Sequence, residues 1–270
     1  MSQSITWRVL DAQVRGVQYV ADALWRARHD GSDFSIIGDN CWGGFIYRHL
    51  RRPYLTPMAG LFLEAPCFLL LLEDLRACLS HPPRPAAETR YETLRKARGG
   101  AFPAYPIGIL GDGIELHFLH YRTWEEALDK WNRRTARIRW DRLFVKFTDR
   151  GEPTAENARR FLSMPYERKL FFTNRSDLSG DGIVRLGGRG APTVWQGIWE
   201  YRRRMDVPAW LCGGHARGGA GLGGASRCAD ALTVAAAERL ERARIRAGGA
   251  PERSPGESLD GERDGGRTPA

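Results

Sequence analysis

The chain has 270 residues, enough for one large domain or two small ones, and its 42% hydrophobic and 10% aromatic residues suit a globular core. The formal charge is +9, but the basic residues, almost all arginines, are interleaved with acids rather than arranged in a stripe, which disfavours nucleic-acid binding. Residues 1–16 lack the apolar core of a signal peptide, and the longest apolar run, 65–72, is too short to span a bilayer. The five cysteines are odd in number and lack zinc-finger spacing, so we expect a reduced, cytoplasmic protein without a membrane span.

Hydrophobic periodicity and chain-breaking residues predict alternating helices and strands in the first part of the chain. Val14, Val17 and Leu24 share one stripe of an amphipathic helix that Gly31 ends. Pro53 stops a second helix. We predict helices over 9–28, 42–50 and 66–79, and strands over 34–37 and 60–63.

The middle of the chain carries the clearest local signals. Gly111-Asp112-Gly113 separates two apolar runs, which predicts a hairpin with strands over 107–110 and 114–121. Thr123, with Glu126 three residues on, forms a capping box that opens a helix with Trp131 on its buried stripe. Further elements are predicted as strands over 143–149 and 169–174 and helices over 156–162 and 193–204.

This order predicts an α/β fold: a layered, largely parallel mixed sheet flanked by helices, Rossmann-like and in a single domain over residues 1–212. After Cys212 the composition becomes rich in Gly, Arg and Ala. We expect residues 213–270 to form a mostly disordered tail, in which 229–246 could form a helix that docks weakly.

Polar residues follow the apolar core of each predicted strand. They are Asp39-Asn40-Cys41, His120-Tyr121, Thr148-Asp149 and Thr173-Asn174. Ligands of open α/β sheets bind outside the carboxyl ends of the strands, so these residues predict a site there. Strands also exit into polar turns for purely structural reasons.

Cys41 is the sharpest candidate in this set. Asp39 or Asn40 can cap the following helix, which places Cys41 in its first turn, where unpaired N–H groups favour a thiolate. Gly43 and Gly44 remove side chains beside it, so a substrate or the backbone can come close. The order Cys, His, Asp or Asn is that of a papain-like arrangement. The alternative is that Cys41 is a small buried residue at a strand–helix turn.

Two histidines and one arginine complete the predicted chemistry. His117 and His120 face opposite sides of a strand, so only one can point at a given site, and a zinc site made by both with Cys41 is not expected. Glu115 shares the face of His117, whereas His120 is closer to the strand's carboxyl end. Arg134, one turn beyond Trp131, could reach an anion. Core histidines and a solvated helix face are the structural alternatives.

Several strings together resemble a bacterial family catalogued as domain of unknown function 1919, whose members are often labelled exopolysaccharide biosynthesis proteins. The strings are FSIIGDNCWGGFIYRHL, YLTPMAGLFLEAPCFLLLLEDL, YPIGIL, IELHFLHYRTWEEALDKWNRRTARI, LFVKFTD and KLFFTN, and they lie between residues 34 and 210. The matching residues include Asn40, Cys41, Trp42, Gly43, Gly44, His117, His120, Trp131 and Arg134. The resemblance implies a bacterial, cytoplasmic α/β protein linked to surface polysaccharide, but it supplies no reaction.

The resulting hypothesis is a transferase acting on a sugar or activated sugar donor, with no cofactor. Its predicted catalytic residues are Cys41, His120, His117 and Asp149, and its predicted substrate-binding residues are Asn40, Trp42, Gly43, Gly44, Arg134 and Asn174. The predicted partners are a sugar or nucleotide-sugar-like small molecule and polysaccharide-assembly enzymes. A hydrolase or acyltransferase with a Cys-His-Asp arrangement, and a non-catalytic glycan- or partner-binding subunit, are the alternatives.

Overall fold

The computed structural model describes residues 2–98, 105–150, 155–188, 192–193, 196–213 and 219–246. Its helices are α1 (Ser2–Arg28), α2 (Trp42–His49), α3 (Ala65–Glu73), α4 (Leu75–Leu79), α5 (Glu92–Arg98), α6 (Trp124–Thr135), α7 (Ala155–Ser163), α8 (Tyr201–Arg204), α9 (Val207–Leu211) and α10 (Gly219–Arg246). A 3-10 turn (Trp140–Arg142) and a π-helical turn (Gln196–Glu200) complete the helical elements of these residues. None of the described helices is both long and apolar enough to cross a membrane.

The strands form two sheets. They are β1 (Ser35–Gly38), β2 (Arg84–Ala86), β3 (Ile107–Leu110), β4 (Ile114–His117), β5 (Leu143–Thr148), β6 (Lys169–Thr173) and β7 (Ile183–Arg185). The mostly parallel four-stranded sheet has the order β1-β5-β6-β7, with β1 parallel to β5, and the antiparallel three-stranded sheet has the order β2-β3-β4. The prediction of an α/β fold is thereby confirmed.

The predicted hairpin does not join the parallel sheet to make one mixed sheet. Its first strand, β3, already pairs with β2 along its other edge. The far edge of β4 is covered by Phe62, whose amide and carbonyl both bond to the backbone of His117 at 2.9 Å. The hairpin therefore belongs to a separate three-stranded sheet, with one further bridge at His117. Only Phe62 of the strand predicted over 60–63 makes a bridge.

The chain forms two compact units where the sequence predicts one domain. The first unit comprises the described residues of 1–32, 46–52 and 172–257, and the second comprises those of 33–45 and 53–171. In the first unit, α10 extends beyond the helix expected over 229–246 and buries Val234 and Leu240. This helix is therefore part of the core of its unit.

A buried charged cluster holds the first unit together. Arg202 donates to Asp22 and Asp230, each at 2.8 Å, and its guanidinium lies 4.3 Å from the Trp25 ring centroid. The Trp25 indole N–H donates to the other oxygen of Asp230 at 2.8 Å. His49 Nδ1 lies 2.9 Å from Asp22 Oδ2. One arginine thus joins α1, α8 and α10, and a histidine joins the end of α2 to the same cluster.

Arg134 has a comparable structural role in the second unit. It is fully buried, and it donates to the Ala59 carbonyl at 3.2 Å and to the Tyr121 hydroxyl at 2.7 Å. Its guanidinium also lies over the Tyr54 ring at 4.6 Å. These contacts attach α6 to the segment that precedes α3.

Replacing Arg134 with Ala is expected to lower the free energy of unfolding by about 3 kcal/mol or more, because it empties a filled core site and removes both hydrogen bonds. Arg134→Met, which keeps most of the volume, should cost less. Chemical denaturation measures both. The control is Arg139→Ala at a half-exposed position, which should change the free energy by less than about 0.5 kcal/mol. An Arg134→Ala protein as stable as the control would contradict this packing role.

The first unit should also respond to acid through His49. Burial, and then the charge of Arg202, lower the pKa of His49 to about 4 from 6.5. Between these pH values the unfolded chain binds a proton that the folded chain does not, so stability falls as pH falls. The wild-type protein should lose about 3 kcal/mol of unfolding free energy, measured as the difference from the His49→Asn protein, when the pH is lowered from 6.5 to 4.

The difference between wild type and variant is the quantity to measure, because a second group also titrates. Burial raises the pKa of Asp230 to about 6, so protonation of this carboxyl makes the folded state more stable as the pH falls. His81→Asn removes an exposed imidazole and serves as the control. If the difference in unfolding free energy between wild type and His49→Asn stays constant from pH 6.5 to 4, His49 does not cause the loss of stability in acid.

Candidate functional site

Cys41 and His120 meet at the carboxyl end of β1, in the second unit. Cys41 Sγ lies 3.5 Å from His120 Nε2. The Cys41 carbonyl accepts from the Phe45 amide at 3.3 Å, so Cys41 occupies the N-cap position of α2 rather than its first turn. The backbone amide of His120 donates to Gly60 at 3.1 Å, which anchors the loop after β4. Residues 79 positions apart in the chain are therefore in contact.

The half-buried Cys41 is a thiol rather than a thiolate at rest. Burial raises its pKa above the ordinary value, and this effect outweighs the charges of Arg150 and Lys146, which lower it. A nucleophilic role therefore requires that the proton be removed during the reaction. His120 Nε2 lies where it can accept that proton.

Behind Cys41 lies a polar cluster that includes a buried lysine. Lys146 Nζ, on β5, donates to Asp39 Oδ1 at 3.0 Å, to Asn40 Oδ1 at 3.1 Å and to the Thr148 hydroxyl. Burial lowers the pKa of Lys146 to about 8, although Asp39 acts against this. Asn40 Oδ1 also accepts from the Trp42 amide at 3.0 Å. The ion pair thereby fixes the turn that carries Cys41.

Sequence reasoning overlooked both Lys146 and Arg150. A lysine inside the apolar string LFVKFT is a signal of a buried, partnered charge, because lysine is almost never fully buried without a partner. Arg150 follows β5, and its guanidinium lies 4.8 Å from the Phe62 ring centroid and 3.6 Å from Asp39 Oδ2. Among the described residues, its buried Nε and one buried terminal nitrogen have no hydrogen-bond partner.

His117 occupies the core of the three-stranded sheet. Its Nε2 lies 2.9 Å from Glu115 Oε1, its Nδ1 lies 3.2 Å from the Tyr105 hydroxyl, and its ring packs against Phe62. Both His117 and Glu115 are buried. His120 is thus the imidazole beside the thiol. Glu115 lies beside His117 on β4, and its role in orienting that imidazole stays a prediction.

The predicted glycines and Trp42 serve close packing. A Cβ on Gly43 would lie 3.0 Å from Ile36 Cγ2, and one on Gly44 would lie 3.6 Å from Ala59 Cβ. The two glycines therefore let α2 approach β1 and the segment before α3, and the space they leave is filled by protein. Trp42 is buried, with Lys146 Nζ 5.9 Å from its ring centroid.

The other predicted residues lie in different surroundings. Arg134 is committed to Ala59 and Tyr121, as described above, and it has no exposed surface with which to meet an anion. Asn174 belongs to the first unit, where it donates to Gln196 at 3.1 Å. Asp149 is buried directly before Arg150, and its role in orienting His120 stays a prediction.

A protein of Haemophilus influenzae (strain Rd), described only as an uncharacterized protein, is 33% identical to this chain over 141 residues. The aligned region covers 52% of this chain and 62% of the Haemophilus protein, so the chain spans less than two thirds of that relative. The similarity supports common ancestry and carries no reaction with it.

A family model matches residues 15–184, which is more than half of the chain. The matched region contains Cys41, His120, Lys146 and Arg150. The chain therefore belongs to the family described as a domain of unknown function (DUF1919).

Proposed function

We propose that this chain is an enzyme that transfers an acyl group through Cys41, with His120 as the general base. The single observation that carries the proposal is the 3.5 Å distance between Cys41 Sγ and His120 Nε2. A nucleophile and a base within reach of each other, at the carboxyl end of a parallel strand, are typical of a covalent mechanism.

The chemistry runs in two balanced steps. The Cys41 sulfur attacks an acyl carbonyl while His120 Nε2 takes the thiol proton, and the leaving group then departs with that proton, leaving a thioester. An acceptor hydroxyl or water next attacks the thioester and loses its proton to His120, and this proton restores the thiol as the carbon–sulfur bond breaks. Amides in the first turn of α2, including those of Gly43 and Gly44, lack intrahelical acceptors and can stabilise the oxyanion.

Arg150 is the group we assign to an anionic part of the substrate. Its buried nitrogens lack a hydrogen-bond partner among the described residues, and its contact with Asp39 at 3.6 Å is an ion pair without a hydrogen bond. An arginine fork suits carboxylate and phosphate, and leaving its donors unpaired when buried is costly. Arg150 thus replaces Arg134 as the proposed anion contact.

Surface-polysaccharide assembly is the setting we propose, because the strings described above resemble a family often labelled in that way. A sugar or an activated sugar donor then supplies the acceptor or the anion, and the protein works in the cytoplasm beside assembly enzymes. A Rossmann-like topology belongs to the same proposal, and the parallel pairing of β1 with β5 supports it.

A non-catalytic glycan- or partner-binding subunit is the second candidate. The raised pKa of Cys41 favours it, because a thiol that stays protonated is compatible with a purely structural role. Acyl transfer to the thiol distinguishes the two candidates.

Incubation of the full chain with p-nitrophenyl acetate and the matched p-nitrophenyl hemisuccinate tests the proposal. We expect one acyl group on the Cys41 peptide by mass spectrometry, with faster labelling by the anionic ester because of Arg150. His120→Gln should slow labelling by about 100-fold or more, since it removes the base. Arg150→Met should abolish the preference for hemisuccinate.

Cys228→Ala, which removes an exposed thiol on α10, is the control and should leave labelling of Cys41 unchanged. Failure of both esters to label Cys41, or labelling that is equally fast in His120→Gln, would reject acyl transfer at this site and favour the binding subunit.

The charge of Arg150 should also be visible in the titration of Cys41. Because that charge lowers the Cys41 pKa, Arg150→Met should raise the pKa further and move the pH profile of alkylation to higher pH. The measurement is the rate of iodoacetamide labelling of the Cys41 peptide as a function of pH. Arg139→Met provides the matched control, and an Arg150→Met profile that coincides with the control would show that the guanidinium does not act on the thiol.

A further inference from the structure

The first unit contains a second cluster of chemically active side chains. His29, Asp30 and Cys212 each offer one ligand atom, and the three atoms lie within 4.8 Å of one another. His29 is buried, whereas Asp30 and Cys212 are half-buried. The residues come from chain segments separated by more than 180 positions.

An ion pair fixes the two segments that carry these residues. Arg28, the last residue of α1, forms a two-pronged contact with Asp206 at 2.8 and 2.6 Å. Asp206 is the N-cap of α9 and accepts from the Ala209 amide at 3.0 Å. Cys212 is the C-cap of the same short helix, with its amide bonded to Pro208 at 3.1 Å. The ion pair between Arg28 and Asp206 therefore holds the end of α1, next to His29, beside the helix that ends at Cys212.

We propose that His29, Asp30 and Cys212 bind a zinc ion. Nitrogen, carboxylate oxygen and thiolate sulfur are the ligand types that zinc takes in proteins, and the thiolate disfavours magnesium and calcium. One thiolate and one carboxylate also neutralise the divalent charge, while Arg28 is already neutralised by Asp206.

The spacing is close to that of a bound site. Bond lengths of about 2.0–2.3 Å place the ligand atoms of a tetrahedral zinc roughly 3.3–3.8 Å apart. His29 Nδ1 lies 3.9 Å from Asp30 Oδ1, and the full set lies within 4.8 Å, so a contraction of about 1 Å at most brings the three atoms to the spacing of zinc ligands. Three protein ligands leave the fourth position for water or a small ligand.

The hydrogen bonds around Asp30 and His29 agree with a zinc site. They also show which contact zinc would replace. Asp30 Oδ1 accepts from the Ser32 amide at 2.9 Å and from its hydroxyl, which orients the carboxylate as outer partners of metal ligands do. The Gly31 amide donates to His29 Nδ1 at 3.0 Å. A metal bound at Nδ1 replaces that one hydrogen bond. Formation of the zinc–sulfur bond releases the Cys212 proton to solvent.

The test uses the full chain, stripped with a chelator and titrated with Zn²⁺ alone or Co²⁺ alone. We expect one equivalent to bind, a thiolate-to-cobalt charge-transfer band in the near ultraviolet, and a rise in the unfolding temperature with Zn²⁺. Cys212→Ser should abolish the band, and His29→Gln or Asp30→Asn should weaken Zn²⁺ binding by about 100-fold or more.

The exposed Cys228 provides the control, since Cys228→Ser should keep the band and the affinity. In the unmutated chain, Zn²⁺ should protect Cys212 from alkylation. This measurement tests the proposal even if a variant does not fold. Absence of stoichiometric binding, survival of the band in a folded Cys212→Ser protein, or alkylation of Cys212 at the same rate with and without Zn²⁺ would overturn the proposal. None of these readouts depends on acyl transfer at Cys41.

Discussion

The buried ion pair between Lys146 and Asp39 is the interaction on which the Cys41 site depends. It joins the end of β1 to β5 in a place where neither charge has access to water. A charge in such a place is tolerated only with a close partner, and removing one partner is usually costly by about 3–5 kcal/mol. Because Lys146 also holds Asn40, and Asn40 holds the Trp42 amide, the pair determines where α2 begins. The position of the Cys41 sulfur follows from it.

Several of the many arginines lie over aromatic rings in the structure. Arg134 and Arg202 are fully buried, and each combines hydrogen bonds with an aromatic ring, Tyr54 and Trp25 respectively. A planar guanidinium can stack and donate at the same time, which an ammonium cannot do equally well. Arg150 also lies over a ring but lacks the corresponding hydrogen bonds among the described residues. The proposed function assigns the unpaired donors of Arg150 to a substrate anion, whereas Arg134 and Arg202 serve packing.

Local signals in the sequence predicted much of the fold. The Thr123 capping box, the Gly111–Gly113 turn and the apolar run before Asp39 each act over a few residues, and all three gave the observed element. The errors had two sources, a local cap that the periodicity did not reveal and pairing with distant residues. Asp74 breaks the helix predicted over 66–79 because its side chain caps a new helix by accepting from the Ala77 amide. The pairing of the hairpin depends on β2 and Phe62, which no periodicity reveals.

For the candidate site, the sequence predicted one pair of neighbouring residues. The rule that ligands bind at the carboxyl ends of strands selected Cys41 and His120, which the structure brings into contact. Arg134 was selected from its place one turn beyond Trp131, and its full burial against Ala59 and Tyr121 is a property of the folded chain that this spacing does not reveal. The His29, Asp30 and Cys212 cluster lay beyond sequence reasoning altogether, since its members share no motif.

The two clusters also differ in their relation to the family. Cys41, His120, Lys146 and Arg150 all lie within the matched residues 15–184, so the acyl-transfer proposal concerns chemistry carried by the family region. The proposed zinc site combines two residues of that region with Cys212, which lies outside it. If both proposals hold, the reactive cysteine belongs to the part of the chain that defines the family, and the metal belongs to an arrangement that the segment after residue 184 completes.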